Sequence, residues 1–323
     1  ENSLLSPSRL YNTIFMENLG GSMMKNKTRA LYILEENELI LAKAKRQKKN
    51  QLCFAVMLKH FQLEGHHPRA TKYIDPSLIT CLAKQLQMKT CHFDFFDWEG
   101  RSTERYRDEI RHLCGYRLAS QSDIAKVKAW LADSVFSQGA KRQTHLPHAQ
   151  QYFKERKIEP PSTQELIRQI QSAYHDFEEE LFSNINSQLS PKFCEIIDKL
   201  TGVDIDDSEE EDDEIKFKHL KKNIAGAKLK NVQFELNKLE WFRALPMPKL
   251  TFETLSRHLL KNYYSRILIE RPSHIQKHPP AKRYALMMMF CHYRTQYLID
   301  NLADLMLQLI QKMQPKAENF VKR

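Results

Sequence analysis

Apolar residues recur at helical spacing along most of the chain, and the clearest case is the stretch Trp98–Arg117. Its apolar positions lie three or four residues apart, which predicts one amphipathic helix with a buried stripe. The stripe consists of Tyr106, Ile110 and Leu113. Ser102 is the expected N-cap residue, because its hydroxyl can accept a hydrogen bond from a free backbone N–H, and Gly115 is the expected stop.

Three further helices are predicted in the first half of the chain. One covers residues 36–62 and is ended by Gly65. The dipeptide Asp75-Pro76 marks the start of another over Ser77–Gln87, because proline is favoured at the first helical position. Ser122 begins the third.

The next segment has a helix-turn-helix outline. It consists of a short helix over Pro147–Arg156, a turn containing Pro160-Pro161, and a long helix capped by Ser162 or Thr163. Helical hairpins are common in proteins of every function. Two packed helices that contact no DNA therefore stay open as an alternative.

Acidic residues crowd the segment Asp204–Glu214, where nine of eleven residues are aspartate or glutamate. Such a run repels itself, so we expect a flexible, solvated linker. A DNA-mimicking or autoinhibitory segment is the alternative. A catalytic carboxylate cluster is disfavoured, because catalysis requires carboxylates held by a rigid surrounding shell.

Four helices are predicted after the acidic run. They cover Lys216–Lys222, Asn231–Arg243, Phe252–Tyr264 with Thr251 as cap, and a very long segment after Pro279-Pro280. The long helix carries a broad apolar stripe that we expect to lie in a core, although it could also serve a homodimer. The stripe contains Leu298, Leu302, Leu305, Met306, Leu309, Ile310 and Met313.

These helices, with only 8 glycines in 323 residues, predict an all-α fold. We expect a multi-helical array of two or three helical subdomains, including helix-turn-helix-like units, with no sheet larger than an incidental hairpin. The predicted divisions are a poorly ordered leader at 1–34, helical subdomains at 35–118 and 119–203, the acidic linker at 204–215, and a C-terminal assembly subdomain at 216–323.

The formal net charge is +10, which favours a negatively charged partner such as nucleic acid. The longest apolar run, Ala285–Cys291, has seven residues and is too short to span a membrane. No signal-peptide, H-E-x-x-H, G-x-S-x-G or P-loop pattern occurs. We expect a cytoplasmic protein with no membrane association, no cofactor, no small-molecule substrate and no catalytic residue.

The six cysteines are scattered and form no C-x-x-C motif, which favours reduced thiols. The nearest approach to a metal-ligand pattern is Cys91-His92 together with His112 and Cys114. These two pairs are about twenty residues apart. We therefore expect ordinary core or surface residues there and no metal site.

Five arginines lie in or directly after the helix of Trp98–Arg117, and they are the first candidate DNA contacts. Guanidinium groups on a rigid helix suit phosphate oxygens and the guanine edge in the major groove. Arg101, Arg107 and Arg111 are expected to face solvent. The alternative is a solvated helix face whose Arg–Glu pairs only support the helix. The candidates are Arg101, Arg105, Arg107, Arg111 and Arg117.

The start of the long helix after Pro161 is the second candidate. Its first turn presents free backbone N–H groups and the positive end of the helix dipole, which suit a phosphate. Thr163, Gln164 and Arg168 are placed to contact bases or phosphates there. The flanking DNA backbone would be held by Lys154, Arg156 and Lys157.

Four blocks of the chain together resemble the N-terminal region of the large replicative transposases of class II bacterial transposons, the Tn-three family. The resemblance runs from about Leu34 to the last residues. Neither the acidic insert nor the leader matches the family pattern. The blocks are Arg101–Arg117, Lys157–Ile170, Leu245–His258, and Arg271 through Lys282-Arg283-Tyr284-Ala285 to Asp300.

The resemblance implies recognition of double-stranded DNA at the terminal inverted repeats of a transposon, with the second half helping assembly. In that family an acidic triad in an RNase H-like domain performs strand transfer, and this domain is expected beyond Arg323. We therefore expect a DNA-binding part of a transposase that is not itself an enzyme. The rival hypothesis is a non-catalytic helical scaffold or protein-interaction module.

Overall fold

A computed structural model describes the chain over residues 31–93, 96–202, 217–223, 226, 228–248 and 255–321, with side chains described up to residue 315. The predictions for the leader before residue 31, for the acidic run and for Thr251 lie outside these residues.

The described residues form two compact units. Unit 1 comprises residues 31–131 and Lys141–Ser172, and unit 2 comprises Ala132–Ala140 and residues 173–321. This division differs from the predicted boundary at residue 118, because the chain on both sides of that residue packs into unit 1. The boundary at residue 172 falls inside a continuous helix, Thr163–Asn186.

Helices dominate unit 1, so the prediction of an all-α fold is confirmed. The only strands among the described residues are two short ones, which pair in parallel, Arg117 with Ile158 and Leu118 with Glu159. The elements are α1 (Glu36–Lys43), α2 (Lys48–Glu64), α3 (Pro76–Gln85), α4 (Arg101–Leu113), β1 (Arg117–Leu118), α5 (Gln121–Leu131), α6 (Arg142–Glu155), β2 (Ile158–Glu159) and the first part of α7 (Thr163–Asn186).

Unit 2 is built on one long helix and those that pack on it. Its elements are a π-helical turn at Ala132–Phe136, the second part of α7, α8 (Pro191–Gly202), α9 (Phe217–Lys221), α10 (Leu229–Ala244), α11 (Arg257–Ile269), α12 (Pro272–Gln276) and α13 (Pro280–Val321). No helix among the described residues is both long and apolar enough to cross a membrane.

The core of unit 1 centres on α2, whose residues from Leu52 to Phe61 are all buried. The predicted single helix over 36–62 is wrong, because the chain breaks between α1 and α2. The Gln51 amide donates to the carbonyls of Lys43 and Lys45 (3.0 and 2.8 Å), which satisfies backbone groups at the end of α1. The Lys45 ammonium turns toward Glu109 of α4 (2.6 Å).

Two helix ends in unit 1 follow the predicted signals. The Asp75 carboxylate accepts from the Ser77 N–H (2.8 Å) and Pro76 opens α3. Gly65 ends α2 with φ of 77°. By contrast, Pro147 does not begin its helix, because α6 already starts at Arg142 and contains this proline near its middle.

The core of unit 2 lies along α13, where every residue from Ala285 to Cys291 is buried. The apolar stripe further along is only partly core. Leu298, Leu302 and Leu305 are buried, whereas Met306, Ile310 and Met313 are each more than half exposed. The helix predicted from Phe252 instead starts at Arg257, because the Ser256 hydroxyl caps it by accepting from the Leu259 N–H (3.1 Å).

Candidate nucleic-acid interface

Helix α4, which carries most of the candidate arginines, begins one residue before the predicted cap. Gly100 is its N-cap residue, and Thr103 is buried with its hydroxyl donating to the Asp97 carbonyl (2.5 Å). The predicted stop at Gly115 is confirmed. This residue has φ of 69°, and its N–H donates to the His112 carbonyl (3.1 Å). Leu113, predicted to be buried, is 49% exposed.

Arg107 and Arg111 do not face solvent, so that expectation is wrong for both. Arg107 donates to the Glu104 carboxylate and to the Trp98 carbonyl (3.1 Å). Arg111 lies between Asp108 and Glu159 and donates to the latter across 2.7 Å. Only 20% and 12% of these arginine side chains are exposed. Carboxylates of α4 and of β2 therefore hold both guanidinium groups inside the fold.

The other three arginines are accessible. Arg101 and Arg105 are exposed, and neither forms an ion pair with any described residue. Arg117 makes a bidentate pair with Asp123 (2.6 and 2.8 Å), yet more than half of its side chain is exposed. The Arg117 guanidinium holds the pKa of the Asp123 carboxyl well below its usual range, with help from hydrogen bonds of Ser120.

Of the three cations predicted to hold the flanking DNA backbone, Lys154 and Arg156 each donate a hydrogen bond within the fold. The Lys154 ammonium donates to the Leu63 carbonyl (2.5 Å) near the end of α2. The guanidinium carbon of Arg156 lies 3.7 Å from the centroid of the Tyr152 ring, and the Arg156 side chain is about half exposed. Lys157 is exposed and adopts a left-handed backbone conformation with φ of 52°.

The first turn of α7 is open, as the prediction requires. The Ser162 hydroxyl caps it by accepting from the Glu165 N–H (3.1 Å). Thr163 and Gln164 are both exposed. Arg168 is paired with Glu165 but keeps 73% of its side chain exposed.

A single cleft of about 600 Å³ in unit 1 brings the two predicted regions together. One wall contains Glu104 and Arg107 of α4, and another contains the Pro160–Gln164 segment with the start of α7. Trp98, the turn His66–Arg69 and Tyr73 also line the cleft. The two segments are separated by about fifty residues in the sequence, and no spacing rule could have placed them in one site.

This cleft lies inside a region with a family match. Residues 21–173 match a domain of unknown function, DUF4158. No curated protein matches the chain significantly. The DUF4158 match contains every residue that lines the cleft and ends one residue after the last residue of unit 1. Helices α8 to α13 lie outside it.

Two buried histidines of the DUF4158 region line the cleft, and the sequence reasoning missed both. Burial lowers the pKa of His60 and of His67 to about 3, and the guanidinium groups of Arg107 and Arg111 add to the effect at His67. His67 Nε2 lies 3.1 Å from the Arg107 carbonyl, to which it donates. The signal in the sequence was the run Gly65–Arg69, in which a helix-ending glycine precedes two histidines and a proline.

The cysteine–histidine pattern around α4 shows no metal-binding geometry. No group of three or more potential metal ligands occurs in the described part of the chain. Cys114 packs against the core of unit 1, and burial raises the pKa of its thiol.

The ion pair between Arg111 and Glu159 predicts a structural role for Arg111. We expect Arg111→Ala to destabilise unit 1 by about 2 kcal/mol, because the Glu159 carboxylate would be left largely buried without its partner. Arg101→Ala, at an exposed position of the same helix, should change stability by less than about 0.5 kcal/mol. Urea unfolding of both variants tests this, and equal losses would contradict it.

Proposed function

We propose that unit 1 binds duplex DNA, and that the chain is the DNA-binding N-terminal part of a replicative transposase that recognises terminal inverted repeats. The observation that carries this proposal is the cleft, whose lining joins α4 to the exposed first turn of α7. Exposed cations without ion-pair partners and free helix-terminal N–H groups are the chemistry that phosphate contacts use.

Charge supports the same proposal. Arg101 and Arg105 project from α4 without ion-pair partners among the described residues, and the whole chain carries a net charge of +10. In this arrangement Arg107 and Arg111 act by fixing the position of α4. The direct contacts fall to Arg101 and Arg105 on one side and to Thr163 and Gln164 on the other.

Family relationships add support for the transposase assignment. DUF4158 domains occur in transposases of the Tn-three family. The four blocks that resemble that family also extend beyond the match, into α11 and α13. Unit 1 is a binding module in this proposal, and strand-transfer chemistry is not assigned to any residue of the chain.

Double substitution of Arg101→Ala with Arg105→Ala tests the proposal. We expect affinity for a random-sequence duplex pool to fall about tenfold, and the slope of log affinity against log salt to decrease by about two, because two phosphate contacts are lost. Fluorescence anisotropy between about 50 and 200 mM salt measures both quantities. Selection from the same pool then identifies any preferred sequence.

The matched control is Lys84→Ala with Lys89→Ala, which removes the same charge from exposed positions of unit 1 that lie outside α4 and α7. These substitutions should have a clearly smaller effect on affinity and on the salt slope. Equal effects of the two double variants would mean diffuse attraction without a defined surface. Absence of any salt-dependent binding would favour the helical scaffold instead.

A further inference from the structure

The cleft of unit 1 has the size of a ligand site rather than of a duplex groove. We propose that it binds one unpaired nucleotide, with the phosphate at the first turn of α7 and the base against the aromatic wall that contains Trp98. This inference rests on the proposed function, because the DNA held on the rims of the cleft would supply the nucleotide.

The volume of the cleft favours a single nucleotide over duplex DNA as its ligand. A cleft of about 600 Å³ lies within the range of small-molecule sites, which measure about 300–1,000 Å³. Duplex DNA is instead read by protein elements that enter its grooves. The duplex must therefore stay on the rims, whereas a nucleotide displaced from the stack can enter.

The phosphate end of the site is the start of α7. Ser162 satisfies the N–H groups of Glu165 and Leu166 with its hydroxyl and its carbonyl. The N–H groups of Thr163 and Gln164 have no partner within the described parts of the chain, and both residues line the cleft. Because α7 has 24 residues, its dipole adds to the attraction for an anion.

His67 supplies a second and independent sign of a ligand. The imidazole lines the cleft and is only 8% exposed. Because Nε2 donates to the Arg107 carbonyl, the neutral ring has a lone pair on Nδ1, and this atom has no hydrogen-bond partner among the described residues. A buried acceptor without a donor is unfavourable. An amino or ring N–H group of a base would satisfy it.

The wall around Trp98 suits a base. Trp98 is half-buried and held by edge contacts with Phe93 and Phe96, at centroid distances of 5.9 and 4.9 Å. Tyr73 lines the same cleft and is 44% exposed. Aromatic rings of this kind stack on bases with little regard to sequence.

The charges of the lining permit one phosphate. Two of its three carboxylates, Glu104 and Glu159, are paired with Arg107 and Arg111. The third, Glu99, is exposed and is balanced by the exposed Arg69. A lining close to neutral does not repel a single phosphate, and it lacks the strong positive charge that several phosphates would require.

Substitution of Thr163 by proline removes one backbone donor from the site. Thr163 is the first residue of α7, where proline is favoured, so the helix is expected to remain. Thr163→Ala removes the side chain and keeps the N–H. We expect Thr163→Pro to bind dAMP about tenfold more weakly than Thr163→Ala does. Calorimetric titration with dAMP, deoxyadenosine and inorganic phosphate measures this, and circular dichroism checks that both variants fold.

Unpaired nucleotides in DNA are tested in parallel. A duplex with a one-nucleotide 2-aminopurine overhang should bind the wild-type chain more tightly than a blunt duplex, with fluorescence quenching that Trp98→Ala reduces. An overhang effect assigns the bound nucleotide to DNA. Binding of dAMP without an overhang effect assigns the site to a free nucleotide, and both results support a nucleotide site.

Failure of this inference is distinct from failure of the proposed function. If blunt duplex binds but neither dAMP nor the overhang does, the nucleotide site is overturned and duplex binding stands. If dAMP binds and no duplex does, duplex binding is overturned and the nucleotide site stands. Equal dAMP affinities of the proline and alanine variants overturn the role of the α7 terminus.

Discussion

Lowering the pH from 7 to 5 should destabilise unit 1 by about 4 kcal/mol, roughly half from each of two buried histidines. Burial lowers the pKa of His60 and His67 from 6.5 to about 3. At pH 7 both rings are neutral in the folded and in the unfolded chain. Below pH 6.5 the unfolded chain takes up protons that the folded chain does not, so stability decreases progressively as the pH falls toward 3.

The window between pH 6.5 and 5 excludes the carboxyl groups of unit 1 that have lowered pKa values. Asp123 and Glu38 also have lowered pKa values, but the stability that they contribute is lost only below their ordinary pKa values, near 4. In a Trp241→Phe variant, the remaining fluorescence comes from Trp98 and Trp130 of unit 1. Urea unfolding followed in this way at pH 7, 6 and 5 gives the free energy of unfolding.

Single replacements provide the control for the pH effect. His60→Gln and His67→Gln should each lower the loss between pH 7 and 5 to about 2 kcal/mol, whatever their effect at pH 7. A loss that is unchanged in both variants would show that other groups bind the protons.

Gly139→Ala should destabilise unit 2 by about 3–4 kcal/mol, because two costs act together. Gly139 has φ of 72°, a conformation that is strained for any residue with a Cβ. A Cβ atom there would also lie 2.7 Å from the Leu259 nitrogen and 2.8 Å from its Cα, which belong to the backbone of α11. The Gly139 carbonyl accepts from the Asn262 amide (2.9 Å), so the segment cannot move away freely.

Gly226→Ala separates the two costs. Gly226 has φ of 99°, but no described atom lies within 4 Å of the position a Cβ would take. Its substitution should therefore cost only the backbone strain, about 1–2 kcal/mol. Unfolding is followed by the fluorescence of Trp241 in a chain with Trp98→Phe and Trp130→Phe. Equal losses at the two glycines would mean that the contact with α11 relaxes without cost.

Local signals predicted the parts of the fold that depend on neighbouring residues. Gly115, the pair Asp75-Pro76 and Ser162 each act within one helical turn, and each ends or begins a helix where the sequence predicted. The all-α class followed for the same reason, since apolar spacing within a helix is a local property.

Long-range contacts decided what the sequence could not predict. Arg111 was expected to face solvent, but its partner Glu159 is 48 residues away and reaches it through the β1–β2 pair. At the break between α1 and α2, Lys45 likewise pairs with Glu109 of another helix. The cleft needs both α4 and the start of α7, so its existence follows only from the tertiary fold.

The path of the chain through Ala132–Ala140 has a consequence for folding during synthesis. Val135 and Phe136 are buried in the folded chain, and Gly139 meets its partner Asn262 across 123 residues of sequence. At about 5–20 residues per second, the ribosome needs roughly 6–25 s to make that interval. This short segment therefore leaves the ribosome long before α11 can hold it. Its buried Phe136 packs on Tyr174 and Phe177 of α7, which are made about forty residues later, so α7 holds this segment first and α11 joins it only afterwards.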